Sequence, residues 1–383
     1  MPVERLLPSG EAEALLGLTR DLADGELRPR VAEYERRAEF PREVFRTLGR
    51  AGLLGLPYPE QYGGGGQPYE VYLQVLEELS AAWLAVGLGV SVHTLACFPT
   101  AAFGSAEQKE RWLPDMVGGE LLGAYCLSEP QSGSDAAALT TRATRDGGGW
   151  RVDGVKAWVT HGGAADFYNL MVRTGEPGAR GISTLLARAG TPGLSPQPPE
   201  HKMGMSSSPT AQLVLSEARL GADALIGSEG EGFRIAMSAL DGGRLGIAAC
   251  AVGVAQGALD HAIAYARERR QFGRAIADFQ GVGFLLADMA TQVAAARALY
   301  LAAARLRDAG RAYSAEAAKA KLFASDTAMR VTTDAVQVLG GAGYVEDHPV
   351  ERWMREAKVL QIVEGTNQVQ RVVISRSLSK PVM

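Results

Sequence analysis

Residues 149–160 of this 383-residue chain, GWRVDGVKAWVT, decide the fold of its middle part. Apolar and polar residues alternate there on both sides of Asp153-Gly154. Alternation with a period of two indicates a half-buried strand, and an Asp-Gly pair is typical of a two-residue hairpin turn. The stretch therefore predicts a hairpin in an antiparallel sheet. The same alternation recurs at residues 168–172, 182–186 and 213–215.

The sequence on both sides of this sheet region is helical in pattern. Towards the C-terminus no proline occurs between Pro209 and Pro349, and apolar residues step by three and four from Leu245 to Tyr300. Such stripes indicate the buried faces of long helices. Towards the N-terminus, Pro41 and the segment Gly104–Gln108 are typical of helix starts. We therefore predict an α+β protein with domains at residues 1–122, 123–228 and 229–383.

The composition excludes several classes of function. The chain carries 39 basic and 43 acidic residues, a net charge of -4, which gives no general attraction to nucleic acid. Three separated cysteines and five scattered histidines predict neither a disulfide framework nor a metal site, and they favour a cytoplasmic location. The N-terminus lacks the pattern of a signal peptide. We interpret the nearly uncharged residues 81–98 as a buried helix rather than a membrane span.

Two short stretches could contact a planar polar ligand. Residues 125–135, YCLSEPQSGSD, combine hydroxyl groups with glycine and could bring backbone N–H groups to a ligand. A well-capped turn is the alternative interpretation. Trp158 and Thr160 follow at a predicted strand end, where an indole and a hydroxyl could flank a heterocycle. The alternative for Trp158 is a place in the core.

Three later stretches could bind anionic groups or carry catalysis. Residues 240–244 are expected to open a long helix and residues 267–273 to close it, and arginines at its end could clamp a phosphate. The alternative is a solvated, charged helix end. The glycine-rich residues 337–344 could approach a phosphate, although they do not fit a Rossmann fingerprint. Glu364 lies in an apolar setting before Gly365, and its alternative is a surface carboxylate near a helix cap.

Taken together and in this order, these stretches resemble the acyl-CoA dehydrogenase family, from about Phe40 to Arg376. The segments Leu127–Pro130 and Gly242–Ala248 and the residues around Glu364 are most similar to short-chain, butyryl-CoA members. The resemblance implies a helical N-terminal domain, a central antiparallel β-domain and a C-terminal four-helix bundle. It also implies bound FAD, a homotetramer built as a dimer of dimers, an acyl-CoA substrate and an electron-transferring flavoprotein as acceptor.

The resemblance implies a role for each matching residue. Glu364 is implied as the catalytic base, which removes the α-proton while the β-hydride passes to FAD, and its N–H and a ribityl hydroxyl of FAD would hold the thioester carbonyl. Burial against an apolar acyl chain would raise the pKa of Glu364. The implied cofactor contacts are Leu127, Ser128, Ser134, Trp158, Thr160, Arg269, Gln271, Phe272, Gln280, Gln337, Gly341, Thr366 and Gln368, of which those from Arg269 to Gly341 would reach the flavin of a neighbouring subunit. The implied substrate contacts are Ser134, Asp241, Arg244 and Gly365.

The sequence departs from the family pattern at a few positions. Gln131 stands where glycine is usual and His161 where asparagine is common, and residues 206–208 lack the usual arginine or tryptophan. Some members place the base just before the arginine matched by Arg244, where this chain has Gly243. Three alternatives stay open: a flavin oxidase or monooxygenase of the same fold, a dehydrogenase of acyl carrier protein thioesters, and a binding protein without chemistry. The resemblance to butyryl-CoA members implies straight or branched acyl chains of roughly four to six carbons, and because each buried methylene contributes ~0.8 kcal/mol, we expect a clear optimum in chain length.

Overall fold

The computed structural model describes residues 3–379 as helices at both ends of the chain and a sheet between them. The helices are α1 Gly10–Leu22, α2 Val31–Arg37, α3 Arg42–Arg50, α4 Tyr69–Ala82, α5 Leu84–Phe103, α6 Ala106–Val117, α7 Gly232–Glu268, α8 Gln280–Asp308, α9 Ser314–Leu339, α10 Val350–Leu360 and α11 Asn367–Leu378. The strands are β1 Gly123–Cys126, β2 Arg142–Asp146, β3 Gly149–Thr160, β4 Phe167–Arg173, β5 Ile182–Arg188, β6 Leu194–Pro196, β7 Thr210–Leu220, β8 Leu225–Ile226, β9 Arg270–Gln271 and β10 Arg274–Ala275. The predicted α+β class is confirmed, and the domain limits at residues 122 and 228 stay predictions.

The N-terminal helices follow the predicted signals closely. Ser105 caps α6 in a capping box, since its hydroxyl accepts from the N–H of Gln108 and the Gln108 side chain accepts from the N–H of Ser105. The apolar stretch at residues 81–98 is buried as predicted, but it is not one helix. The chain is extended at Trp83, where α4 ends and α5 begins. The indole N–H of Trp83 donates to Oε1 of Glu35 at 2.9 Å, which fixes the break.

The middle strands form one eight-stranded sheet, in which seven strands follow the order β6-β7-β3-β2-β4-β5-β8 and β1 pairs with β4 beside this path. Most pairs are antiparallel, as predicted. The exceptions lie at β4, which pairs in parallel with β1 and, through one residue pair, with β2. These pairings make β1 run antiparallel to β3, so that His161, just after β3, contacts Gly123 at the start of β1, and the loop that leaves β1 contacts β3 at Ala157.

The predicted hairpin around Asp153-Gly154 is wrong. Both residues lie inside the continuous strand β3, where the register with β7 shifts between Val152 and Gly154. Gly154 has a φ of +148°, and a β-carbon there would lie 2.6 Å from Oγ1 of Thr141, so glycine serves a bulge and a close approach. The turn of this hairpin lies earlier, at Gly147 and Gly148, between β2 and β3.

The long helix α7 is the centre of the C-terminal part and packs against α4, α5, α8 and α9. It begins at Gly232, so the expectation that residues 240–244 open it is wrong. Gly242 lies inside the helix and allows a close approach of α4, since a β-carbon at Gly242 would lie 3.0 Å from the Tyr69 hydroxyl. Further along, Gly253 lets α4 approach, because a β-carbon there would meet Ser80 Cβ at 2.9 Å.

Three helices, α5, α7 and α8, are long and apolar enough to cross a membrane by length and composition alone. Their burial inside the chain differs. The most apolar 18-residue window of α5 is 89% buried, that of α7 67%, and that of α8 only 17%. The apolar surface of α8 is thus largely uncovered in the single chain.

Candidate active site

Glu364 lies in the short connection between α10 and α11, in a strained conformation. Its φ is +56° and that of Gly365 is +86°, so two consecutive residues adopt the left-handed region. That region costs a residue with a β-carbon roughly 1–2 kcal/mol. The turn is held by Thr366, which caps α11, and by Gln370, whose side-chain amide donates to the carbonyl oxygens of Glu364 and Gly365 at 3.1 and 2.7 Å.

The carboxyl group of Glu364 is enclosed and incompletely satisfied. Its Oε2 is buried and has no hydrogen-bond partner among the described residues. Burial raises the pKa of Glu364 to about 7, against the lowering effect of Arg244 and Lys321. Within residues 3–379 the backbone N–H of Glu364 also has no acceptor. A carboxyl with a pKa near neutrality and a free N–H beside it is the arrangement that proton abstraction next to a carbonyl requires.

Arg244 of α7 is a nearby cation that acts on the charge of this carboxyl. Its Nη1 donates to Oδ1 of Asp241 at 2.5 Å, and the hydroxyl of Ser314 donates to the same oxygen at 2.8 Å. Nε of Arg244 is buried and has no hydrogen-bond partner among the described residues. The predicted substrate contacts Asp241 and Arg244 are therefore paired with each other, and Arg244 lies close enough to Glu364 to act on its charge.

The loop after β1, which carries Leu127, Ser128 and Ser134, is anchored by a buried ion pair. Nζ of Lys156 donates to Oε1 of Glu129 at 2.8 Å, and both side chains are almost fully buried. Glu129 also accepts from the N–H groups of Thr140 and Thr141. Although burial raises the pKa of Glu129, Lys156 and these donors lower it to about 2. Glu129 is therefore an ionised anchor of the loop and is unsuited to act as a base.

Gln131, one of the departures from the family pattern, strengthens this anchor. Its side-chain amide donates to Oε2 of Glu129 and to Oγ1 of Thr140, both at 2.8 Å. The loop also joins β3, since the N–H of Ala157 donates to the carbonyl of Ser128 at 2.9 Å. The structure thus brings the predicted ligand loop to the end of the strand that carries Trp158 and Thr160.

Trp158 does not lie in the core, which was the alternative interpretation. It has a φ of +60°, and 63% of the residue is exposed. A large aromatic ring held outward at a strand end, next to the half-buried Thr160 and the loop of Ser128, offers a face to a planar ligand. These residues fit a flavin ring on the observed geometry.

The other predicted cofactor residues lie elsewhere on the chain. Arg269 ends α7, Gln271 and Phe272 belong to the β9–β10 hairpin, and Gln280 begins α8. All four are exposed, Phe272 by 93%. Within residues 3–379, no hydrogen bond joins these residues to the loop of Ser128 or to the end of β3. Gln337 and Gly341 are likewise exposed, at the end of α9 and in the 3₁₀ turn after it, while Thr366 and Gln368 stand beside Glu364 at the start of α11.

A small, partly open pocket of about 20 Å³ adjoins Gly243, and this volume is close to that of a single water molecule. Polar side chains line part of it. The guanidinium carbon of Arg307 lies 3.4 Å from the centre of the Tyr69 ring, and the Tyr69 hydroxyl donates to the carbonyl of Gly242 at 3.0 Å. The remaining lining residues are Pro57, Tyr58, Ser91, Thr94, Leu95, Phe98, Ser238, Ala239 and Tyr313.

Sequence reasoning missed several residues that organise the site. Lys321 and Asn367 hold the turn at Glu364, and no motif pointed to them. His161 was noted only as a departure. Its Nδ1 donates to the carbonyl of Gly123 at 3.0 Å, while the N–H of Gly123 donates to Nδ1 of His93 at 3.0 Å. Burial lowers the pKa of both histidines to about 4, so two neutral imidazoles fix the start of β1.

Comparison with known families places this geometry in context. The models of the acyl-CoA dehydrogenase N-terminal, middle and C-terminal domains match residues 9–120, 124–218 and 230–379. The chain belongs to the acyl-CoA dehydrogenase family. It is an oxidoreductase of that family, close to the short-chain and butyryl-CoA dehydrogenases, and the family is FAD-dependent.

Individual relatives match over nearly their full length. The chain is 42% identical to "Acyl-CoA dehydrogenase, short-chain specific" of Clostridium acetobutylicum, covering 95% of this chain and 97% of that protein. Butyryl-CoA dehydrogenase from Megasphaera elsdenii superposes with a TM-score of 0.96 at 39% identity, covering 98% of this chain and 100% of the other. A chain described with the electron transferring flavoprotein of Acidaminococcus fermentans gives a TM-score of 0.97 at 42% identity, covering 99% and 100%.

Proposed function

We propose that this protein oxidises a short-chain acyl-CoA thioester to the trans-2-enoyl-CoA, with Glu364 removing the α-proton. The observation that carries the proposal is the enclosed carboxyl of Glu364, whose Oε2 is free of hydrogen bonds and whose pKa is raised to about 7 by burial. A base of that pKa is about half ionised at neutral pH, which suits general-base catalysis. FAD, when bound, supplies the acceptor for the hydride that leaves the β-carbon.

The residues around Glu364 bind the substrate and stabilise the charges that form during the reaction. The free N–H of Glu364 donates to the thioester carbonyl and stabilises the negative charge that develops on its oxygen. Arg244 and Lys321 favour the ionised carboxylate before it takes the proton. Asp241 orients Arg244, so that its unpaired Nε is available to the CoA part of the substrate. Ser134, exposed in the loop after β1, and Gly365 complete the proposed substrate contacts.

FAD is proposed to lie against the exposed face of Trp158, between Thr160 and the loop that carries Leu127 and Ser128. Thr366 and Gln368 would bind its diphosphate-adenosine part, where the start of α11 presents N–H groups to an anion. The exposed Arg269, Gln271, Phe272, Gln280, Gln337 and Gly341 lie outside this part of the site. We propose that they contact the FAD of a neighbouring subunit.

The surface of α8 supports a homotetramer built as a dimer of dimers. Phe284 is 61% and Leu299 38% exposed on that helix, and its most apolar window is only 17% buried. Extended apolar surface of this kind usually marks an interface. We propose that other subunits, rather than a lipid bilayer, cover it and that the protein is cytoplasmic. Since a similar chain is described with an electron transferring flavoprotein, we propose a protein of that kind as the electron acceptor.

An anaerobic titration with saturated acyl-CoAs of increasing length tests the proposal. We expect flavin bleaching with the highest catalytic efficiency at roughly four to six carbons, because the chain is similar to short-chain and butyryl-CoA dehydrogenases, and each fitting methylene contributes ~0.8 kcal/mol. A peak at long chains would contradict the substrate class. Rapid reoxidation of the reduced protein by oxygen would favour a flavin oxidase or monooxygenase. A strong preference for acyl carrier protein thioesters over CoA thioesters would favour a dehydrogenase that acts on the carrier protein.

A further inference from the structure

Lys321 of α9 is a fully buried lysine directly behind the turn that carries Glu364. Its Nζ donates to the carbonyl of Gly365 and to Oδ1 of Asn367, both at 2.9 Å. These two acceptors are neutral and flank Thr366. A buried ammonium is costly unless its hydrogen bonds and its charge are compensated. Burial lowers the pKa of Lys321 to about 8, while Glu364 and Asp326 act in the opposite direction.

Asn367 is itself fixed from α9. Its Oδ1 accepts from the hydroxyl of Ser325 at 3.1 Å, and its Nδ2 donates to Oδ1 of Asp326 at 2.7 Å. Lys321, Ser325 and Asp326 thus present one face of α9 to the start of α11. Between residues 364 and 367, Ser325 and Asp326 bond only to Asn367, whereas Lys321 also donates to the carbonyl of Gly365. Lys321 therefore connects α9 to the left-handed turn of Glu364 and Gly365.

We propose that Lys321 is the positioning residue of the catalytic base: from α9 its ammonium holds the left-handed turn of Glu364 and Gly365 and places a positive charge behind the carboxylate. This inference rests on the proposed role of Glu364. Two consequences follow and can be separated. The hydrogen bonds fix where the carboxylate lies, and the charge determines the pH at which the carboxylate forms.

Other groups around Glu364 also influence its titration and must stay constant in the test. They come from each element packed on the carboxyl and include one further cation. Arg244 on α7, which is paired with Asp241, acts on the charge of Glu364, as do Tyr125 on β1 and Tyr69 on α4, and Asp326 on α9 acts on the charge of Lys321. Since none of them is altered by a substitution at position 321, a shift in titration reports the loss of the lysine.

The test compares Lys321→Met with Lys319→Met, a matched control on the same helix whose ammonium is exposed and pairs with Glu316 at 3.4 Å. Stopped-flow flavin reduction by butyryl-CoA is measured against pH in the holoenzyme. For Lys321→Met we expect at least a tenfold lower limiting rate and a midpoint moved to higher pH, because a cation near the carboxylate has been removed. Lys319→Met should behave like the wild type.

A direct titration supplies a readout that does not depend on turnover. The infrared carboxyl band that disappears in Glu364→Gln is followed against pH, and its midpoint should rise in Lys321→Met. If Lys321→Met does not fold, Lys321→Gln carries the test, since it keeps one donor and should show the same shift with a smaller loss of rate. Wild-type rate and midpoint in whichever variant folds would overturn the proposal. Normal flavin reduction in Glu364→Gln would instead remove the proposed base itself.

Discussion

A β-carbon placed on Gly243 would lie 2.6 Å from Oε2 of Glu364. The two residues are far apart in sequence, yet they compete for the same space. Glycine at position 243 leaves room for the carboxyl to extend from the connection between α10 and α11 towards α7, and any larger residue would displace it. The Glu364 carboxyl can therefore occupy its observed position only because residue 243 has no side chain.

The first prediction concerns Glu364→Gln. This change keeps the size of the side chain and the N–H at position 364, so FAD content and substrate binding should be nearly unchanged. Flavin bleaching by acyl-CoA should slow by about 10²–10⁴-fold, because this is the usual contribution of general-base catalysis. Anaerobic stopped-flow spectroscopy, with FAD content measured first, checks it.

Position 243 supplies the matched control for that experiment. Gly243→Glu alone should disturb the site, because its β-carbon collides with the carboxyl at position 364. Combined with Glu364→Gly, which removes the collision, it should restore part of the reduction rate. Near-normal reduction in Glu364→Gln, or a double variant no faster than Glu364→Gly, would contradict this account of the base.

Lys156→Met should destabilise the protein by about 3–5 kcal/mol, because it leaves the buried carboxylate of Glu129 without the cation that balances its charge. The double variant with Glu129→Gln should recover part of the loss. The pKa of Glu129 is lowered to about 2, so the stability contributed by this carboxylate is present above its unfolded pKa near 4.5 and is lost as pH falls towards 2. Urea unfolding at several pH values measures both effects; equal stability of Lys156→Met and wild type would contradict them.

Arg269→Ala should weaken FAD retention and subunit association together. A charge-assisted hydrogen bond contributes about 1.5–3 kcal/mol, so the Kd for FAD should rise roughly tenfold or more. Arg46→Ala, an exposed arginine on α3 that pairs with Glu43, is the control. Analytical ultracentrifugation with simultaneous flavin absorbance gives both quantities. A fully flavinated Arg269→Ala protein with unchanged assembly would show that the hairpin does not serve a neighbouring site.

Glu356→Gln should stabilise the protein at alkaline pH. Glu356 is buried on α10, and its Oε1 lies 3.6 Å from Nε of Arg352 without a hydrogen bond. Burial raises the pKa of Glu356 to about 8, so the native state prefers the protonated form and loses stability as pH rises from about 4.5 to 8. The variant should gain on the order of 1–4 kcal/mol over that window.

Thermal unfolding from pH 5 to 9 checks the prediction for Glu356. Glu351→Gln on the same helix, where the carboxylate pairs with Arg355 at 2.8 Å, is the control and should show no such gain. A constant difference between Glu356→Gln and wild type at all these pH values would mean that the carboxyl does not titrate in the native protein.

The sequence predicted best those features that depend on local pattern. The helices around Ser105 and the buried stretch that includes α5 follow from capping and apolar spacing, and Glu364 and Trp158 stood out within their motifs. The hairpin at Gly154 was mistaken, because a glycine inside a strand has the same local signature as a turn. Whether it bends the chain or admits a neighbour depends on Thr141, which local pattern does not connect to it.

The residues that hold the site in place could not be predicted, because their partners lie far away in the sequence. A lysine in a helical stripe normally lies at the surface, and only the tertiary fold shows that Lys321 meets Gly365. The same holds for His161, whose partner Gly123 lies on another strand. Residues that act by holding another segment carry no sequence signature of their own, whereas residues that contact a ligand often stand in recognisable motifs.

Because α7 is one continuous helix, it fixes the distance and the rotation between Arg244 and Arg269. Arg244 lies beside Glu364, the proposed base of its own subunit, and Arg269 follows the last turn of the same helix, about 38 Å away at ~1.5 Å per residue. One inserted residue would turn the β9–β10 hairpin by roughly 100° relative to Arg244. If that hairpin contacts the FAD of a neighbouring subunit, as proposed, the length of α7 determines how the catalytic centre of one subunit is placed and oriented relative to that of its neighbour.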